Sequence, residues 1–365
     1  MHPRSTPSIR YLDGWRGVAI LLVLYSHFFV GAGGDLGVAL FFVLSGFLVS
    51  GLLFQRQTGI ATFFWRRATR ILPTIWLYLA VVAWYTATLQ PVPYVVPLPE
   101  MLATLGFVRT YFPSSQSIWS NDWPIGHLWS LNVEEHAYLA LGLVAALLRV
   151  TGARLLLRGV MLACVAAMCL TIAHYARTPP AGASPWYLRT ECAALGLMAS
   201  AWIHASRPLA RRYLIRNGHW SITPLALGAG LLCYAPGMPY LAAPGLAPLL
   251  LAVAINYLDC APAPLLRFLS WKPLRWFGLC SYSLYIWQQP FYKAMTLYGL
   301  HPAAAAGLAL AVGVGMFYGF EHPVRRYLNR MWALHRREVL PSAPSRKEAA
   351  ALSESKDYTS HGDER

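Results

Sequence analysis

The chain has 365 residues, 56% of them hydrophobic and only 12% charged, with 14 Trp and 20 Tyr. Soluble globular domains carry about a quarter of their residues as charges, so this balance excludes one and indicates an integral membrane protein. The net charge of +15 would suit nucleic acid, but its distribution along the chain ties it to membrane topology instead, with no nucleic acid needed.

Ten apolar stretches are predicted to span the bilayer, at 12–31, 36–54, 71–90, 127–149, 159–176, 188–206, 220–235, 240–258, 273–294 and 302–320. The expected fold is an all-α polytopic membrane protein with about ten transmembrane helices around a central pore. The segment before the first span has no small-residue cleavage pattern and is expected to be retained. The first span, "YLDGWRGVAILLVLYSHFF", holds Arg16 and His27, eleven residues apart. That spacing is three turns within about 20 degrees, so both project from one stripe, about 16 Å apart along the axis. A charge at membrane depth costs several kcal/mol, which makes both functional candidates. An Arg16 that snorkels to the surface beside Asp13, and a His27 satisfied by a neighbouring helix, are the plain alternatives.

Gly31, Gly33, Gly34 and Gly37 form a tight turn before the second span, in which Ser45, Gly46 and Gly51 allow a helix or a ligand to approach closely. The next connection carries Arg66, Arg67 and Arg70, a guanidinium cluster beside the start of the third span that suits phosphates or anionic lipid. The long connection at 91–126 is rich in Pro and aromatics. A short interfacial helix around 98–112 is expected there, capping the outer mouth. In the fourth span, "GHLWSLNVEEHAYLALGLV", residues His127, Ser130, Glu134 and Tyr138 share one face, while Glu135 points about 80 degrees from His127. Later spans add Arg189 with Glu191, and Tyr285 with Gln288 and Gln289; either group also suits a buried structural network. The six cysteines lack CxxC spacing, so no disulfide or metal framework is expected.

With a cytoplasmic N-terminus, 25 of the 30 Lys and Arg fall on the inner side, which supports ten spans with both termini cytoplasmic. The membrane domain is drawn at 1–335. Residues 336–365, polar and poor in aromatics, are expected to form a disordered cytoplasmic tail.

Taken in order, Arg16 with His27, "FFVLSGF", "FFWRRATRILP", "HLWSLNVEEHAYL", "SYSLYIWQQP" and "FEHPVRR" resemble the acyltransferase-3 family of membrane O-acyltransferases, from about residue 8 to residue 330. The resemblance implies ten helices in the bacterial cytoplasmic membrane, acyl-CoA as the cytoplasmic donor, no permanently bound cofactor, and a carbohydrate or small-molecule hydroxyl acceptor. His136 and Ala137 stand where the family usually has Gln-Phe, and Gln288 and Gln289 where it often has His-Gln. Some members carry a C-terminal SGNH domain; here only a short polar tail follows, so transfer is expected to be completed by the membrane domain or by a separate partner.

The expected roles follow from thioester-to-alcohol chemistry, which needs a base, stabilisation at the carbonyl and an anchor for the donor. Arg67 and Arg70, with Arg66, would hold CoA phosphates, with Ser45 and Gly46 beside the donor. His27 would be the general base or a covalent acyl carrier. Glu134 would orient or charge-compensate His27, or bind the acceptor, and Arg16 would line the channel. His127, Glu135, Arg189 and Tyr285 would contact the acceptor. Membrane lipids are expected partners, homo-oligomerisation is left open, and a transporter or flippase, or a binding scaffold, are the rival readings.

Overall fold

The structure is a computed structural model and describes residues 9–31, 34–88, 96–109, 124–177, 192–216, 220–239 and 241–339. All regular structure among the described residues is helical. Helix α1 (Arg10–Tyr25) opens into a π-helical turn (Ser26–Val30) and stops at Gly31, whose φ of 72° requires glycine. Helix α2 (Gly34–Ser50) likewise ends in a π turn, Gly51–Gln55. Helix α3 (Ile60–Thr88) runs through Pro73, and α4 (Leu98–Leu105) is short. A 3₁₀ turn, Gly126–Leu128, leads into α5 (Trp129–Thr151), followed by α6 (Arg154–Arg177), α7 (Leu195–Arg216) and α8 (Ile222–Leu232). A π turn at Ala242–Leu246 opens α9 (Ala247–Asn256), and α10 (Ala263–Leu269), α11 (Lys272–Trp287) and α12 (Gln289–Tyr298) follow. Helix α13 (Pro302–Met316) passes through a last π turn (Phe317–Glu321) into α14 (His322–Val339).

Each predicted apolar stretch overlaps helix. Five stretches, Gly34–Gln55, Ile60–Thr88, Gly126–Thr151, Arg154–His174 and Pro302–His335, are long and apolar enough to cross a membrane; Ile222–Leu232 and Ala242–Asn256 are apolar but shorter. The chain is accordingly a membrane protein. The disordered tail expected from 336 falls almost wholly outside the described residues, and α14 continues to Val339.

Two helix groups share α1 as their joint. On one side α1 crosses α11 so closely that a Cβ on Gly278 would lie 1.9 Å from the Asp13 carbonyl oxygen, and one on Gly17 1.9 Å from that of Leu274. Only glycine permits such backbone contact, the usual device where lipid supplies no hydrophobic drive between helices. Ile20, Tyr78, Ile286 and Ala309 form the core of this group. On the other side α2 meets α7 at Gly46, where a Cβ would lie 2.0 Å from the Leu197 carbonyl oxygen, within a core containing Val43, Leu197 and Leu251. Trp65 stacks on Trp332 with ring centroids 4.7 Å apart, which fastens the start of α3 to α14.

Two sequence expectations are corrected. Helix α3 starts at Ile60, not near 71, so Arg66, Arg67 and Arg70 ride on the helix itself and not in a connection. Their charges lower the local hydropathy without breaking the backbone hydrogen-bond pattern, which is why an apolarity window misses that turn. Helix α4 ends at Leu105, short of 112, because Gly106 and Phe107 (φ 56°) turn the chain away. That turn brings Arg109 back onto Glu100 as an ion pair with side chains only 3% and 7% exposed.

Candidate active site

A cavity of about 100 Å³ opens between α1, α2, α3, α5 and α11, and Arg16, Ser45, Arg67, Arg70, Glu134 and Tyr285 reach its wall. Arg16 is pinned at 3.4 Å to Asp13, one turn earlier on α1. Ser45 on α2 and Tyr138 on α5 both donate to one carboxylate oxygen, Glu134 Oε1, the tyrosine at 2.6 Å. Tyr138 sits one turn beyond Glu134, so helical periodicity alone delivers this contact. The Arg67 guanidinium lies 3.5 Å from the centre of the Tyr138 ring, and its Nε is 3.9 Å from Glu135 Oε1. Three guanidinium groups therefore converge on one cavity, Arg16 held by Asp13 and Arg67 by Glu135 and the face of Tyr138. Such a cluster attracts a polyanion while its counter-charges keep it affordable without one.

His27 occupies the π turn that follows α1, a kind of irregularity found often at functional sites. Its Nδ1–H donates to the carboxamide oxygen of Gln288, at 2.7 Å, and Tyr292 lies beside the ring at 5.0 Å between centroids. Gln288 is completely buried. With the proton on Nδ1, the lone pair is on Nε2. That nitrogen faces Gly34: a Cβ built there would be 3.6 Å away, so the missing side chain leaves room beside the lone pair. A neutral imidazole held this way can accept a proton at Nε2.

His127 is a strut. It is 2% exposed, and its Nε2–H donates to the Ile286 carbonyl at 3.1 Å. Ser130 donates to the Tyr285 hydroxyl, which in turn donates to the His127 carbonyl, each at 2.7 Å, so α5 and α11 are tied by a small relay.

The structure thus brings Arg16, Ser45, Arg67, Arg70, Glu134 and Tyr285 together and sets four other expected residues apart. Arg66 is exposed on the far side of α3. Gly46, next to Ser45, is turned by about 100 degrees into the α7 contact and away from the cavity wall. His127 and Glu135 lie off the cavity wall, one in the core and the other against Arg67. Arg189 lies outside the described residues. Glu134 is bonded to Ser45 and Tyr138, and the group that orients His27 is Gln288, 261 residues away in sequence. Tyr138 was foreshadowed by its spacing from Glu134, and Gln288 by standing polar inside an apolar run; nothing in the sequence marked Tyr292.

The model of the family described as acyltransferase domain matches residues 9–320. The peptidoglycan O-acetyltransferase OatA of Listeria monocytogenes is 27% identical over 318 residues, covering 80% of this chain and 50% of the relative. The putative peptidoglycan O-acetyltransferase YrhL of Bacillus subtilis is 27% identical over 328 residues, covering 79% and 49%. The O-acetyltransferase OatA of Staphylococcus aureus is 31% identical over 157 residues, covering 40% and 26%. The chain therefore spans about half the length, or less, of these curated relatives. No solved structure matches.

Proposed function

The chain belongs to the acyltransferase-3 family, and from that premise we propose that it moves an acyl group, acetyl in the first instance, from acyl-CoA to a hydroxyl acceptor. The observation that carries the reading is His27: its Nδ1–H is fixed by Gln288, and its Nε2 stands open beside Gly34. Nε2 takes the acceptor's hydroxyl proton as the hydroxyl oxygen bonds to the thioester carbonyl carbon. The carbon–sulfur bond then breaks, and the departing CoA thiolate recovers the proton from the imidazolium. Neither proton nor electron pair is left over.

In this reading Arg67 and Arg70, with Arg16, hold the donor's phosphates, and the pantetheine arm passes between the helices towards His27. Arg66 stays outside the cavity and serves the lipid surface. Ser45 and Tyr138 hold Glu134 as a fixed counter-charge for those arginines. The chain crosses the bacterial cytoplasmic membrane ten times with both termini inside, which puts the arginine cavity near the donor pool and His27 towards the outer leaflet. Two of these relatives are named for peptidoglycan, which makes glycan hydroxyls the first acceptors to try.

The test is thiol release from acetyl-CoA by the purified full chain with candidate acceptors. His27→Ala is expected to lose transfer while still binding acetyl-CoA. Arg67→Ala and Arg70→Ala are expected to weaken acetyl-CoA binding about 10- to 150-fold each, the scale of a charge-assisted hydrogen bond. Movement of substrate across the membrane without CoA release would instead establish the transporter reading.

A further inference from the structure

Resting on the transfer reading, we propose that a second, larger cavity is the acceptor site, and that its acceptor carries its hydroxyl on an apolar or aromatic body. This cavity has a volume of about 400 Å³ and lies between α2, α5, α7 and the turn joining α8 to α9. That is within the range of small-molecule sites, which combine apolar walls with a few polar groups. Phe42, Trp129, Tyr234 and Met238 supply the walls, and the exposed carboxylate of Asp35 stands among them. Phe42 and Trp129 meet edge to face at 6.2 Å between centroids, which fixes a flat apolar corner.

Three observations join this cavity to the chemistry. Val38 and Phe42 line both cavities, so donor and acceptor spaces share a wall one side chain thick. Gly34, Val38 and Phe42 follow at intervals of four on α2, and the stripe begins where His27 Nε2 faces Gly34. Asp35, next to Gly34, places a hydroxyl acceptor group at that same end.

The walls select the body of the acceptor: Phe42, Trp129 and Met238 face it, and Asp35 is the one carboxylate among its lining residues. A bare polysaccharide would need a wall of hydrogen-bonding groups, whereas a ring system or isoprenoid-like body matches this one. The donor's own acyl chain is a poorer occupant because it brings no hydroxyl to pair with Asp35.

The experiment measures binding to the full chain in lipid nanodiscs of two probes with the same sugar hydroxyls, phenyl β-glucoside and methyl β-glucoside. The phenyl compound should bind about tenfold or more tightly, the scale of burying one aromatic ring. Ala235→Trp, which fills the cavity from its exposed turn, should bring the two within twofold while acetyl-CoA affinity is unchanged. Asp35→Asn should weaken both glucosides and keep their ratio. Equal binding of the two probes to the wild type overturns the assignment. So does a selective loss of octanoyl-CoA over acetyl-CoA affinity in Ala235→Trp, which would make the cavity an acyl-chain pocket. If the phenyl preference holds but no acetyl-CoA binds or is consumed, the transfer reading fails, and the cavity stands as a binding site alone.

Discussion

At the scale of single residues the proposed chemistry turns on the contact between His27 and Gln288. Removing the base should cost about 10²- to 10⁴-fold in rate, so His27→Ala should be nearly inactive in a protein that still melts cooperatively and binds acetyl-CoA. Gln288→Leu tests the orientation alone. It leaves a buried Nδ1–H without a partner, a loss of about 1–3 kcal/mol, or roughly 5- to 150-fold in kcat if it falls on the transition state. The expected result is a fall in kcat with acetyl-CoA affinity unchanged; an equal loss of both would mark Gln288 as a folding residue only. His27 was legible in the sequence because a titratable ring in an apolar run is expensive. Its partner was not, because no local pattern links positions 27 and 288, and Glu134, the carboxylate expected to orient the ring, is taken by Ser45 and Tyr138.

At the scale of elements, apolar runs gave the helices, but the features that aim side chains were hidden. The π turns at Ser26–Val30, Gly51–Gln55, Ala242–Leu246 and Phe317–Glu321 each widen a helix without changing its hydropathy, so composition carries no trace of them. Small residues were legible as close-contact positions but not as to which contact they serve. Gly46 faces the Leu197 carbonyl while adjacent Ser45 faces Glu134, and the two substitutions should separate accordingly. Gly46→Ala must push α2 off α7 and should lower stability by about 1–3 kcal/mol, read as a lower Tm, since overpacking of a tight contact costs that much. Ser45→Ala should leave Tm close to wild type and change acetyl-CoA binding instead, through Glu134. The Glu100–Arg109 pair is a further element-scale device, locking α4 to the chain that follows it. Arg109→Ala leaves the Glu100 carboxylate buried without its cation and should destabilise by about 3–5 kcal/mol. Glu100→Gln with Arg109→Met should recover much of that in thermal unfolding, because two neutral groups of similar volume leave no orphaned charge.

At the scale of the whole molecule, the two cavities divide the work only if the membrane is oriented as the charges require. Residues near 56–70, 149–158 and 267–275 are rich in Arg, and the connections between them on the opposite side are nearly free of it. Gly152, with φ 67°, makes the tight turn between α5 and α6, and in the proposed orientation it would lie at the inner face, together with the cavity of Arg16, Arg67 and Arg70. Gly299, with φ 69°, turns α12 into α13, and in the same orientation it would lie at the outer face, the side of His27 and Tyr292. A single cysteine placed at each turn in a background without the native cysteines reports this directly. A membrane-impermeant maleimide added to whole cells should label Gly299→Cys and spare Gly152→Cys, and permeabilisation should make both react. The reverse pattern would put the arginine cavity outside, away from any cytoplasmic thioester, and would sink the donor assignment together with the cytoplasmic placement of the termini. Labelling of both sites in intact cells would break the parity between them: Gly152 and Gly299 are five spans apart, an odd number, so they can share a side only if one of the short helices fails to cross.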